Sequence, residues 1–175
     1  YIWGFEESYG YLSGSYVRDK DAVDASMLIC EMAAYYRTQG ITLLQARENM
    51  YKKYGFFYQT LYSFTFEGAS GMKKMADIME NLRNAHPTEI AGLKVIRFDD
   101  YKLSTSKNVV TGEVTELTLP KSNVLAFFLE GGSKVIVRPS GTEPKVKAYI
   151  TSKQDTREEA EAIGQKIYAD FSKNM

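Results

Sequence analysis

From Phe56 to Phe66 large side chains recur at every second position. Phe56, Tyr58, Tyr62, Phe64 and Phe66 fall on one side and Gln59, Ser63 and Thr65 on the other, the two-residue period of a strand with one buried face. Upstream the period is helical. Ala22 to Tyr36 is almost wholly apolar or small, which predicts a helix buried on more than one face. Asp19 or Asp21 is placed to cap it, Asp24 suits the positive end of its dipole, and Gly40 stops it. Thr42 and Gln45 form a capping box for a second helix, in which Leu43, Ala46, Met50 and Tyr54 recur until Gly55. The change of period at Gly55 places a domain boundary there, giving residues 1–55 and 56–175.

Beyond the aromatic strand, Ser70 is the expected cap of a third helix with a core stripe of Met72, Met75, Ala76, Met79 and Leu82, closed by His86-Pro87 in a surface turn. Strand patterns follow over 93–98, 113–119, 124–129 and 134–137, with Gly131-Gly132 as a hairpin signal, and another over 146–151. A final helix begins at Asp155 or Thr156, with Asp155 and Glu158 as its capping box and Ala160, Ile163, Ile167 and Phe171 as its inner face. The downstream part therefore reads as α+β, an antiparallel sheet covered by helices on one side.

Composition narrows the function. Twenty-two basic residues balance twenty-two acidic ones, which argues against non-specific nucleic-acid binding. No apolar run has membrane-spanning length and no signal-peptide pattern appears, so no membrane partner is expected. One cysteine, Cys30, excludes an internal disulfide and fits a reducing, cytoplasmic setting; its apolar surroundings predict core packing. With one histidine and one cysteine, a metal site built from those residues is excluded. The chain opens on Tyr1 inside a motif-dense stretch, as expected for a piece of a longer protein.

Two loops carry candidate chemistry. Between the runs 135–137 and 146–150 lies Arg138-Pro139-Ser140-Gly141-Thr142-Glu143-Pro144-Lys145. Two prolines and a glycine are expected to exclude a ladder between those runs, leaving strand, stiff loop and strand. Arg138 offers a planar fork of donors, Ser140 and Thr142 offer hydroxyls, Gly141 lets backbone N–H groups approach an anion, and Lys145 adds positive charge. The plainer reading is a hairpin with a charged tip; the density of donors favours an anion site. Near the start, Glu6 and Glu7 stand beside Ser8 in a loop rich in Gly, Ser and Tyr. Paired carboxylates can hold a metal, act as acid and base, or accept hydrogen bonds from sugar hydroxyls; Ser8 suits the last role, and a solvated turn is the plainer alternative.

Taken together, GFEESYG, RDKDA and VRPSGTEPK, in that order, resemble the phosphohexomutase family of phosphoglucomutases and phosphomannomutases, with the wording similar to the bacterial phosphoglucomutase branch. The resemblance covers the whole chain. It implies four domains around a cleft: a phosphoserine loop in the first, a magnesium loop in the second, a sugar-binding loop in the third and a phosphate-binding loop in the fourth. Neither of the first two motifs occurs here. On this resemblance residues 1–55 are the helical remnant of α/β domain three and 56–175 are domain four. Glu6 and Ser8 would contact ring hydroxyls of a hexose, with Arg18 and Lys20 near them; Lys20 would serve as acid/base or charge stabiliser. Arg138, Ser140, Gly141 and Thr142 would grip the phosphate that is not transferred, assisted by Lys145, with Glu143 orienting Arg138 or the loop backbone. The implied reaction is interconversion of hexose 1-phosphate and hexose 6-phosphate, using Mg2+ and glucose 1,6-bisphosphate, with the missing domains of the same chain as partners. No metal is expected on this chain's own residues, and the piece alone is expected to be inactive. An independent phosphosugar-binding module is the alternative.

Overall fold

The computed structural model describes residues 2–6, 9–68 and 70–175. The chain forms two compact units, Tyr1–Tyr54 and Gly55–Met175.

The first unit begins with a small hairpin, β1 (Trp3–Phe5) and β2 (Tyr11–Ser13), followed by helices α1 (Ala22–Thr38) and α2 (Leu43–Tyr54). Asp21 is the cap of α1, its carboxylate accepting from the N–H groups of Val23 and Asp24. The N–H of Gly40 returns to the carbonyl of Arg37 and that of Ile41 to Tyr36, a glycine-terminated helix end with Gly40 at φ 72°. The Thr42–Gln45 box forms reciprocally: Thr42 N–H donates to Gln45 Oε1 at 2.7 Å and Gln45 N–H to Thr42 Oγ1 at 3.2 Å. The expected burial of α1 on several faces is overturned. No residue of α1 is buried, and Val23, Met27 and Tyr35 stand more than half exposed. Cys30 is exposed as well, not packed in a core. An apolar helix records the surroundings its side chains require; among the described residues of this unit, β2 and α2 are the elements that pack most against it.

The second unit is one antiparallel sheet of eight strands with two helices. Its order is β3 (Phe56–Thr65), β10 (Lys145–Gln154), β9 (Lys134–Pro139), β8 (Leu125–Leu129), β5 (Leu93–Asp100), β6 (Thr105–Asn108) and β7 (Val114–Glu116), with β4 (Glu89–Ile90) beside β5. Helices α3 (Gly71–Asn84) and α4 (Arg157–Phe171) pack on the face carrying Val95, Phe127, Val135, Val137, Val146 and Ile150, so the helices cover one side. Alternation in β3 is as the aromatic pattern predicts: Phe56, Tyr58, Tyr62 and Phe64 are half-buried together with Thr60, and the odd-numbered residues between them are exposed. Tyr62 stacks on Tyr168 of α4 with ring centroids 3.7 Å apart. The Gly131-Gly132 turn joins β8 to β9, both glycines at positive φ.

Several local expectations change. Runs 134–139 and 145–154 do pair, with Val146 opposite Pro139, Ala148 opposite Val137 and Ile150 opposite Val135. The prolines and the glycine fall in the connection or at its rim, where no ladder N–H is required, so they end the hairpin without preventing it. Ser70 sits at the start of α3 but its hydroxyl makes no capping bond. The buried stripe of α3 is Met75, Ile78, Met79 and Leu82, while Met72 faces solvent. Helix α4 is capped by Thr156 accepting from Glu159 N–H at 3.2 Å, one residue later than the Asp155–Glu158 pair. His86 is half-buried and stacked on Phe98, not held in an open turn.

Close packing singles out Gly71 at the start of α3. A Cβ there would lie 2.2 Å from the carbonyl oxygen of Phe66 and 2.9 Å from Pro144. Gly71→Ala is therefore expected to destabilise the second unit by about 1–3 kcal/mol through overpacking, measured as a lower midpoint in urea. A second expectation concerns the β4–β5 turn. Ala91 adopts φ 55°, and its N–H donates to Asp170 Oδ2 at 2.8 Å. That bond, then the Lys173 ammonium, holds the Asp170 carboxyl below the ordinary aspartate value. A carboxylate depressed on folding stabilises fully above its unfolded pKa, about 3.9, and loses that contribution as pH falls through the lower folded value. Between pH 5 and 3 the wild type should lose more unfolding free energy than Asp170→Asn, which cannot titrate there.

Candidate functional site

The β9–β10 connection is a short loop tied by backbone hydrogen bonds. Ser140 N–H donates to the Lys145 carbonyl at 2.8 Å, and Lys145 N–H donates to the Glu143 carbonyl at 2.7 Å. Ser140 Oγ accepts from the N–H groups of Thr142 at 3.4 Å and Glu143 at 3.3 Å. The hydroxyl's lone pairs are thus engaged with the backbone, which leaves its O–H to donate outward. Arg138 is exposed at the end of β9, and its guanidinium has no hydrogen-bond or ion-pair partner among the described residues. Gly141 has open space around its Cα, so an anion can approach its N–H. Thr142 is exposed beside it.

Lys145 and Glu143 pair with each other across the loop. Lys145 Nζ lies 2.6 Å from Glu143 Oε2, so the carboxylate pairs with the lysine and not with Arg138. Lys145 holds the Glu143 carboxyl below its ordinary value, with a smaller contribution from Lys147. Lys147 is the cation that sequence reasoning passed over. Cross-strand register sets it directly opposite Arg138, side chains on one face of the sheet. The signal was present in the alternation Lys145, Val146, Lys147, but it becomes readable only once the two runs are known to pair.

The amino-terminal loop sits on the β1–β2 hairpin. Glu6 N–H donates to the Gly10 carbonyl at 2.8 Å, closing the loop at its base. Tyr9 follows in the left-handed region at φ 63°, a conformation costly for a non-glycine residue and concentrated at functional loops. Glu6 Oε1 lies 3.4 Å from Lys20 Nζ, and Lys20 also reaches Asp19 Oδ1 at 3.4 Å. Gly10 makes room for that lysine: a Cβ would stand 2.3 Å from Lys20 Cδ. Glu6, then Asp19, raises the Lys20 pKa, so the ammonium stays charged. Arg18 is exposed with no partner among the described residues. Ser8 and Glu7 lie outside the described residues. A groove of about 800 Å³ opens beside this loop, lined by Trp3, Tyr11, Lys20, Ala25, Ile29 and Met32 among others.

Among the described residues no group of three or more His, Cys, Asp or Glu side chains is placed to hold a metal ion. No helix among them is long and apolar enough to cross a membrane.

A hairpin connection presenting a guanidinium, hydroxyls and a free glycine N–H is oxyanion-binding chemistry, and a carboxylate–ammonium pair on a second loop is suited to polyols. Comparison with known proteins puts that chemistry in a family. The profile described as "Phosphoglucomutase/phosphomannomutase, C-terminal domain" matches residues 67–169, and the one described as "alpha/beta/alpha domain III" of the same family matches residues 1–54. The chain belongs to the phosphoglucomutase/phosphomannomutase family. Among its relatives, the phosphoglucomutase of Staphylococcus epidermidis (strain RP62A) is 40% identical over 167 residues, covering 95% of this chain and 30% of that protein. The phosphoglucomutase of Staphylococcus aureus (strain bovine RF122) is 43% identical over 152 residues, covering 87% of this chain and 27% of that protein. The chain thus spans about 30% of the length of the curated relatives it matches. In fold it is similar to the open-form crystal structure of the exocytosis-sensitive phosphoprotein pp63/parafusin from Paramecium, with a TM-score of 0.62 at 19% identity, over 95% of this chain and 28% of that one.

Proposed function

We propose that this chain is the substrate-holding, carboxyl-terminal part of a phosphoglucomutase-type enzyme that interconverts hexose 1-phosphate and hexose 6-phosphate. The observation carrying this reading is the β9–β10 connection, where Arg138, the Ser140 O–H and the Gly141 N–H stay open to an incoming anion. In this reading residues 1–55 are the tail of domain three and residues 56–175 are domain four. Arg138 contributes a bidentate fork to phosphate, Ser140 and Thr142 donate hydroxyl protons, and Gly141 donates its backbone N–H. Lys145, tied to Glu143, adds field more than a direct bond, and Lys147 completes the positive surface.

Glu6 and Ser8 take ring hydroxyls of the hexose, with Arg18 beside them. A carboxylate accepts from adjacent hydroxyls without regard to which end of the sugar carries phosphate, and a mutase must hold its substrate in two flipped orientations. Lys20 acts as charge stabiliser, since a proton-transfer group working near neutrality requires a lowered pKa and Glu6 raises this one. Mg2+ and glucose 1,6-bisphosphate are, in this reading, cofactors of the whole enzyme. A cytoplasmic setting accords with a free, exposed Cys30 thiol. Glucose is favoured over mannose by the names of the relatives.

Residue-resolved NMR titration with glucose 1-phosphate is the direct test. Shifts should concentrate at Arg138, Ser140, Gly141 and Thr142, with weaker ones at Glu6 and Lys20, and the purified chain should convert no glucose 1-phosphate to glucose 6-phosphate. Absence of shifts at the 138–142 loop at millimolar ligand would sink the binding role. Turnover by the chain alone would sink the division of labour. If the parent reading frame starts at Tyr1, the independent phosphosugar-binding module is the better reading.

A further inference from the structure

The two edges of the eight-stranded sheet are unlike each other. One ends in β7, three residues that include Glu116, both short length and charge being common protections for an exposed edge. The other ends in β3, ten residues reading Phe-Phe-Tyr-Gln-Thr-Leu-Tyr-Ser-Phe-Thr. It contains no charge, no proline and no glycine, and its register against β10 runs without a bulge from Phe56 to Thr65. Charge, proline and a bulge, three devices that blunt an edge, are missing from this strand.

The direction of its unpaired groups follows from two bonds. Phe66 N–H donates to the Pro144 carbonyl at 2.9 Å, and the Tyr58 carbonyl accepts from Ser152 Oγ at 3.4 Å. Even-numbered residues of β3 therefore turn their backbone groups toward β10. In an antiparallel ladder the N–H and C=O of one residue point the same way. Phe57, Gln59, Leu61, Ser63 and Thr65 consequently direct theirs outward, away from the sheet. Their side chains lie on the face opposite the helices, with Phe57 41% and Leu61 39% exposed.

We propose that β3 is the seat of a two-fold dimer, in which the same strand of a second copy pairs antiparallel along this edge. The occupant is argued from the strand itself. A two-fold axis at Leu61 sets Leu61 opposite Leu61, Gln59 opposite Ser63 and Phe57 opposite Thr65. Every outward N–H and C=O of those five residues then meets a partner from the other copy, and exposed side chains meet exposed side chains. A two-fold contact must be self-complementary. An uncharged strand meets that condition, because no like charges are brought face to face.

Sedimentation velocity of the full 175-residue chain across micromolar to millimolar concentration tests this. The mass should rise from 19.8 kDa toward twice that value. Leu61→Lys puts two ammonium groups on the axis and should weaken association at least about tenfold. Leu61→Pro removes only an outward N–H, so the β10 ladder survives while pairing is lost. Register is read by mild oxidation in a Cys30→Ser background. Facing Cα atoms of a hydrogen-bonded pair lie about 5.5 Å apart, within disulfide reach. Leu61→Cys should cross-link to itself, and Gln59→Cys should not. A chain that stays monomeric throughout, because another segment or nothing at all occupies the edge, overturns the proposal. So does a dimer that ignores Leu61→Lys and forms no disulfide through Leu61→Cys. Should the lysine variant lose its circular-dichroism signature, the cysteine pair alone decides.

Discussion

Replacing Arg138 by alanine is expected to lower the affinity of the chain for glucose 1-phosphate by about tenfold to a hundredfold, the worth of a charge-assisted bond to phosphate at roughly 1.5–3 kcal/mol. The size follows from what the other cations are doing. Lys145 is held by Glu143 at 2.6 Å, so Lys145→Ala removes a charge already partly neutralised and should cost only about twofold to threefold. Arg138 carries no such partner among the described residues and can give both arms of its fork to the ligand. Arg138→Lys should recover little, because an ammonium cannot reproduce the bidentate geometry. Isothermal titration or NMR of the three variants separates these outcomes. Equal losses for Arg138→Ala and Lys145→Ala would mean that simple charge, and not the fork, holds the phosphate.

The same loop shows what the amino-acid sequence discloses and what it withholds. Its donors were legible because residue chemistry is local: a guanidinium, two hydroxyls and a glycine remain donors in any fold. Pairing was not legible. Pro139 and Pro144 read as breakers, yet a breaker at a strand end or in a hairpin connection costs no ladder bond, and the 134–139 and 145–154 runs align in register. With pairing unread, Lys147 opposite Arg138 could not be seen, nor Glu143 turned to Lys145. Capping was legible at Thr42 and Gln45, which answer each other as read, and misread at Ser70, whose hydroxyl makes no capping bond, and at the Asp155–Glu158 pair, where Thr156 is the cap. Strand β6, Thr105–Asn108, was missed because a polar run has no hydrophobic period to betray it. Period also cannot say what covers a face. Helix α1 has the composition of a buried element and stands exposed, with Cys30 at its surface.

Replacing Arg83 by methionine is expected to cost the second unit about 3–5 kcal/mol, a large part of the roughly 5–15 kcal/mol that holds a domain folded. Arg83 lies on α3 with its side chain 6% exposed, and Asp100 at the end of β5 has its side chain 1% exposed. Arg83 Nε donates to Asp100 Oδ2 at 2.7 Å, while the rest of the guanidinium reaches Glu80 Oε2 at 2.9 Å and Asn123 Oδ1 at 2.8 Å. The other oxygen of Asp100 is already committed to the N–H groups of Lys102 and Leu103 at the β5–β6 turn. Removing the arginine leaves a carboxylate in the interior with backbone donors on one side only, which is far costlier than losing an exposed pair. Arg83→Met/Asp100→Leu removes both charges and should recover part of the stability. It cannot recover all of it, because the turn N–H groups lose their acceptor. Urea unfolding of the two single variants and the double variant gives the coupling directly. If the double variant is as unstable as the sum of the singles, the helix and the turn are held by packing and not by this pair. Recovery by more than 1 kcal/mol would show that the ion pair joins α3 to the β5–β6 turn and keeps the sheet's middle strands under their helix.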